Sequence, residues 1–335
     1  MTPPPGRAWV LGVDSGGSGL RIALAEATPG GAPRPGGERR TEEPVRTGPG
    51  GIDAGHLLAQ LLPTARALLD EVAPGGRIEA ICVGAAGMAT LGGRLRAELP
   101  QALAAGLGVR RLALAADAVT GYAGALGEAP GAVVAAGTGM IALGTDLVSW
   151  RRADGWGHLL GDLGGGAWIG QRGLTAALRA HDGRPGGSAA LLARAEAEFG
   201  PMSGLPARIY PRTDRPAALA SFAPAVARCA TAEEPDDVAV GILREAAREI
   251  ADSAVAVCPA DTAGGIALTG GLFRMGDPLT GPLHAELARR LPRARVVPAA
   301  GTPLDGALQI AAGLALGASH LPEDPALLHI VDHRG

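Results

Sequence analysis

An apolar run that ends in glycines and is answered at once by a second apolar run occurs twice in this chain, and it constrains the fold more than any other feature. The first instance is Trp9 to Asp14, the turn Ser15-Gly16-Gly17-Ser18-Gly19, and Leu20 to Ala27; the second is Ala132 to Ala136, the turn Gly137-Thr138-Gly139, and Met140 to Gly144. Each reads as a β-hairpin with an unusually glycine-rich turn. After the first, the periodicity predicts a weaker strand from Arg34 to Arg46, a loop at 48–51 and a helix from about Asp53 to Val72. Next come a strand Ile78 to Ala85, a helix Leu91 to Ala105, a strand Arg111 to Ala115 ending at Asp117, and a helix from Ala118. After the second it predicts a strand Leu147 to Arg152, a helix from about Ala167 to Ala180 and mainly helices from Ser188 to Val257. A strand Gly265 to Leu268, a helix Leu279 to Leu291, a strand Ala294 to Val297 and a closing helix Leu304 to Leu316 complete the chain. Such a repeat predicts two α/β domains of similar design facing each other across a cleft. Their ligands belong outside the carboxyl ends of the strands, where both glycine turns fall.

Composition narrows the function. With 335 residues, 47% of them hydrophobic, the chain can bury two cores. No apolar run approaches the ~20 residues of a membrane span, and Met1 to Gly6 carries no basic segment leading into an apolar one, so neither a membrane partner nor a secretory signal is expected. Cys82, Cys229 and Cys258 are scattered without a CxxC pair, which argues against a disulfide framework or structural zinc and fits a reducing cytoplasm. A net charge of −3 with no basic block argues against a nucleic-acid partner. The sequence contains no lysine, so all 30 fixed cations are arginines. A Walker A loop, which needs a lysine at the β/γ-phosphates, is therefore excluded. If the chain binds a nucleotide, backbone N–H groups, hydroxyls and a metal must hold the phosphates.

The two turns suit that task. Glycine lets backbone N–H groups approach an anion without a Cβ in the way. Gly16, Gly17 and Ser18 supply one such turn, Gly137, Thr138 and Gly139 another, and Asp14 adds a carboxylate able to hold magnesium through water. Phosphoryl transfer to a hydroxyl also needs a carboxylate to take the proton. Asp117, at the end of a strand in Leu114-Ala115-Ala116-Asp117-Ala118, is the candidate, with a helix N-cap as its ordinary alternative.

Leu11-Gly12-Val13-Asp14-Ser15-Gly16-Gly17-Ser18 resembles the first phosphate motif of the actin/Hsp70/hexokinase superfamily, Ala136-Gly137-Thr138-Gly139 its second, and Leu268-Thr269-Gly270-Gly271 its adenosine motif. Gly155-Trp156-Gly157-His158-Leu159-Leu160-Gly161-Asp162, with Trp168-Ile169-Gly170 beyond it, is similar to the signature of N-acetylglucosamine kinases of the BadF/BadG/BcrA/BcrD ATPase family. Pro303-Leu304-Asp305-Gly306-Ala307-Leu308 matches the start of that family's last helix. The resemblance implies two actin-like (ribonuclease H-like) ATPase domains, 1–117 with 303–335 and 118–302, the latter carrying a helical insertion at about 188–257. It implies ATP with magnesium, Gly270 and Gly271 on the adenosine, Asp117 as the catalytic aspartate and Asp162 on the sugar. Trp156, Gly155 and Gly157 would line the sugar pocket, His158 would be structural and Trp168 core. The implied reaction converts N-acetylglucosamine to its 6-phosphate, with another hexosamine or hexose, or a non-catalytic sensor, as alternatives. Relatives of this kind are often dimers, so a homodimer is expected. The family's iron–sulfur activator branch needs paired cysteines that this chain lacks.

Three departures stand out. The family turn usually reads Gly-Gly-Gly-Thr followed by a cation; here Gly19 follows Ser18, leaving Arg21 as a substitute. Thr47-Gly48-Pro49-Gly50-Gly51 lacks the sugar-binding asparagine of relatives. Leu163 stands where relatives commonly carry a glutamate.

Overall fold

A computed structural model describes residues 7–16, 19–48, 51–88, 92–259 and 264–332. The chain opens with the expected hairpin: β1 (Trp9–Gly16) and β2 (Gly19–Glu26) pair antiparallel from Trp9↔Glu26 to Gly16↔Gly19. β3 (Arg34–Arg40) continues the sheet beside β2 and stops short of Arg46. A short antiparallel pair, β4 (Thr47–Gly48) and β5 (Gly51–Ile52), stands where a loop was expected. Then follow α1 (Ala54–Val72), capped by Asp53 through the His56 amide, β6 (Ile78–Ala85), α2 (Gly93–Leu107), β7 (Arg111–Ala116) and α3 (Asp117–Leu126).

The second hairpin comprises β8 (Gly131–Ala136) and β9 (Met140–Thr145), followed by β10 (Trp150–Asp154). β10 begins three residues later than the sequence suggests. Leu147 takes a left-handed φ of 69°, and the amides of Val148 and Ser149 both close on Asp146 Oδ1 at 2.9 Å, so 146–149 form a turn. Helices α4 (Gly166–His181), α5 (Ala189–Phe199), α6 (Leu205–Ile209), α7 (Arg215–Ala220), α8 (Ala223–Ala230) and α9 (Asp237–Val257) come next. β11 (Gly265–Thr269), a 3₁₀ turn at Gly271–Met275, α10 (Asp277–Arg290) and β12 (Arg295–Val297) complete this half. The chain ends in α11 (Pro303–Leu316) and β13 (Leu328–Asp332), a strand not expected from sequence, which pairs antiparallel with β7.

Two compact units result: residues 1–130, 145–150 and 298–335, and residues 131–144 and 151–297. The first holds a six-stranded sheet in the order β13-β7-β6-β1-β2-β3. Its β1 is apolar on both faces, with Val10, Leu11 and Val13 wholly buried. The second holds a five-stranded sheet, β10-β9-β8-β11-β12, and a helical layer whose core includes Phe222, Val226, Leu243, Ile250 and Leu283. Fully burying each such side chain stabilises the fold by about 1.5–3 kcal/mol.

The boundary expected at 117/118 lies instead at 130/131, because α3 packs on α11 at glycine-to-backbone distance. A Cβ on Gly124 would stand 2.0 Å from the Thr302 carbonyl oxygen, and one on Gly306 1.9 Å from that of Thr120. That crossing fixes the start of α11, which a capping box between Thr302 and Asp305 closes. Among the described residues, no helix is long and apolar enough to cross a membrane.

Candidate active site

In the first unit, β1, β6 and β7 run parallel with Ser15, Ala85 and Ala116 in register. Asp14, near the end of β1, and Asp117, just past the end of β7, therefore lie at the same carboxyl edge with β6 between their strands. Asp14 is the cross-strand partner of Arg21 on β2, and the guanidinium takes Asp14 Oδ2 through Nη2 at 2.5 Å and Nε at 3.2 Å. Arg21, expected as a substitute phosphate cation, is thus paired with the metal candidate. Asp14 offers one carboxylate with one oxygen already bonded, and among the described residues no cluster of three or more ligating side chains stands ready for a metal. Magnesium fits here only as an ion carried by phosphates and touched by Asp14 through water.

Asp117 is the first residue of α3 and not its N-cap, a position Ala116 fills. Its side chain is exposed, with Oδ1 accepting the Ala118 amide at 2.9 Å, and a carboxylate is favoured there by the helix dipole. Gly16 is described and has open space on its Cβ side, whereas Gly17 and Ser18 lie outside the described residues.

In the second unit three glycine segments meet at the end of β8. The Gly137 amide closes its own turn on the Gly139 carbonyl at 2.9 Å, while the carbonyls of Gly137 and Thr138 accept the Gly166 and Ala167 amides at 2.9 and 2.8 Å. The amides of Thr138 and Gly139 donate to no described residue. Of the three amides of this turn, those of Thr138 and Gly139 are therefore the ones open to an anion. Gly270 has φ +100°, and a Cβ on it would lie 2.2 Å from the Ala136 carbonyl oxygen. The turn after β11 is thus laid directly on the end of β8. Between them opens a cavity of about 490 Å³. Gly137, Thr138, Gly166 and Gly271 form one end, and Ala223, Ala227, Leu272 and Met275 line the apolar remainder beside Arg228 and Arg274.

The segment 154–165 is held against the same turn. Asp154, with φ 60°, accepts the Asp162 amide on Oδ1 at 2.5 Å and the Leu163 amide on Oδ2 at 2.9 Å. Asp162, with φ 57°, in turn accepts the Gly157 amide on Oδ1 at 3.0 Å. Its Oδ2 would lie 2.3 Å from a Cβ on Gly139. Burial pushes the Asp162 carboxyl above the usual aspartate value; the Gly157 amide opposes this and the Asp154 charge adds to it. Gly155 backs onto Ile141. Trp156 is 63% exposed, and Arg152 sits over its ring at 4.3 Å. Trp168 is buried, as expected of a core residue.

Sequence reasoning missed Asp154, Arg152, Arg228 and Arg274. The Asp154-Gly155 pair at the end of a strand is a turn signature that could have found the first. Nothing in the sequence marks the others, because their place depends on tertiary packing.

The model of the BadF/BadG/BcrA/BcrD ATPase family matches residues 11–280. A Chromobacterium violaceum structure provisionally assigned as an N-acetylglucosamine kinase is 28% identical, with a TM-score of 0.65, over 91% of this chain and 99% of that one. A Porphyromonas gingivalis structure with the same provisional assignment is 17% identical, with a TM-score of 0.63, over 90% of this chain and 97% of that one. A ROK hexokinase from Thermus thermophilus is 16% identical, with a TM-score of 0.56, over 93% and 100%. These last two share the fold. No curated protein matches the sequence.

Proposed function

The chain belongs to the BadF/BadG/BcrA/BcrD ATPase family, and from that premise we propose that it transfers the terminal phosphoryl group of ATP to a hydroxyl of an amino sugar, converting N-acetylglucosamine to its 6-phosphate. The observation that carries this reading is the cavity of the second unit, where the Gly137–Gly139 turn and the Gly270–Gly271 turn meet with two backbone amides left undonated. One end is built from backbone, as an anion requires, and the other is apolar, as a base requires. Likeness to the Chromobacterium protein, the more similar of the two assigned as N-acetylglucosamine kinases, favours that sugar.

In this reading Thr138 and Gly139 hold phosphate through their amides and the Gly270–Gly271 turn seats the nucleoside, while Gly16, Gly17 and Ser18 are the phosphate-binding candidates of the first unit. Asp14 would hold magnesium through water, and the ion would supply neutralisation of triphosphate charge. Asp117 accepts the proton of the attacking sugar hydroxyl. Trp156 and Asp162, in the segment fastened by Asp154, meet the sugar with Gly155 and Gly157.

The test is sugar-dependent ADP release over N-acetylglucosamine, glucosamine, N-acetylmuramic acid and glucose. N-acetylglucosamine is expected to give the highest kcat/KM. A higher value for another hexosamine would reassign the substrate. No turnover with any sugar, while ligands still raise Tm, would make the protein a sensor.

A further inference from the structure

The cavity that would seat the nucleoside has a lining with a chemical bias. Ala220, Ala223, Pro224, Ala227, Leu272 and Met275 contribute apolar surface. Apart from Thr138 on the phosphate turn, the polar side chains among the described lining residues are Arg228 and Arg274. Neither arginine makes a hydrogen bond or ion pair to a described residue, in a chain where Arg21, Arg34, Arg39, Arg77 and Arg290 are all paired. Both side chains are exposed. They sit on different elements, Arg228 at the end of α8 and Arg274 in the 3₁₀ turn that follows the adenosine glycines.

A guanidinium only donates hydrogen bonds. The lining therefore lacks a side-chain carboxylate or amide to accept from the exocyclic amino group of adenine. Guanine, by contrast, presents two acceptors, O6 and N7, that match a guanidinium fork. Arginine also stacks on the face of either purine without regard to its edge. Strong discrimination, of roughly 10⁴-fold or more, requires a polar group that is left unpaired by the wrong ligand. These side chains supply none against guanine.

We propose that the donor site accepts purine nucleoside triphosphates as a class, using GTP at an efficiency comparable to ATP, with Arg228 and Arg274 holding the base. The proposal rests on the kinase reading of this cavity and goes beyond it in naming the donor.

The experiment measures kcat/KM for ATP and GTP with N-acetylglucosamine, and the Kd of each nucleotide by calorimetry. The two kcat/KM values are expected to agree within about tenfold, because the arginines stack on the face of either purine. Arg228→Ala and Arg274→Ala are each expected to raise KM for both nucleotides by roughly three- to thirtyfold with kcat little changed, the loss of one cation–π contact. GTP turned over more than about a thousandfold less efficiently than ATP would overturn the proposal and leave the kinase reading standing. Equal binding of ATP and GTP without turnover on any sugar would keep the site as one for purine nucleotides and sink both its use as a donor site and the kinase reading. KM values unchanged in both variants would remove the arginines from the site.

Discussion

Asp162 and Gly139 are in contact: the carboxylate that fastens the Trp156 segment rests on the glycine of the second phosphate turn, where a Cβ would stand 2.3 Å from Oδ2. Two motifs more than twenty residues apart in sequence thus share one small space. A substrate bound by one cannot be positioned independently of the other. Gly139→Ala is expected to displace the carboxylate and release the Gly157 amide, lowering stability by about 1–3 kcal/mol. KM should rise for both sugar and nucleotide. A sugar KM unchanged in a folded variant would separate the two motifs.

Asp154 holds this segment without belonging to any motif. Asp154→Ala leaves the amides of Asp162 and Leu163 without their acceptor, at a cost of about 1–3 kcal/mol for a group that stays buried. The expected kinetic signature is a raised KM for the sugar with the KM for ATP unmoved. Equal changes in both would show a general loss of structure.

The turn at Gly270 should tolerate nothing larger. Its φ of +100° and the Ala136 carbonyl 2.2 Å from a Cβ make Gly270→Ala destabilising by more than about 2 kcal/mol, strain and overpacking acting together. Gly241→Ala, within α9 and with open space around its Cβ, is the control. There, alanine should be neutral or stabilising by up to ~1 kcal/mol. Thermal unfolding of the two variants beside the parent reads the contrast.

Asp162 also sets a pH dependence. Its carboxyl is raised in the folded protein, chiefly by burial, so the fold favours the protonated form. Its contribution to stability is fully present below the ordinary aspartate value and is lost as pH rises through the folded value. Asp162→Asn retains an acceptor for the Gly157 amide but cannot ionise. Measured from about pH 3 to pH 7, Tm of the parent should fall relative to the variant. Parallel curves would show that the carboxyl titrates as in the unfolded chain.

Much of the fold was legible because its central strands are mostly apolar runs. Ile78–Ala85 matches its run residue for residue, and both glycine turns lie where the alternation breaks. β13 was not legible because its strand is half-exposed and defined by its pairing with β7. The start of β10 was hidden by a turn that Asp146 closes through two amides. The compact units divide at 130/131 and not at 117/118 because Gly124 and Gly306 let two helices distant in sequence touch, which no local pattern records. The site divides the same way. The residues proposed from sequence lie in short motifs and Asp154 carries an Asp-Gly turn signature, whereas Arg228 and Arg274 reach the cavity through packing that no local pattern records.

The central claim is that this chain moves a phosphoryl group to an amino sugar with Asp117 as the base. ADP release with N-acetylglucosamine by Asp117→Asn, beside the parent and with sugar binding measured in both, tests it most directly. The account predicts a fall in kcat of roughly 10²–10⁴-fold, the contribution of a positioned base, with the sugar's Kd retained. Near-normal turnover in the variant would contradict it.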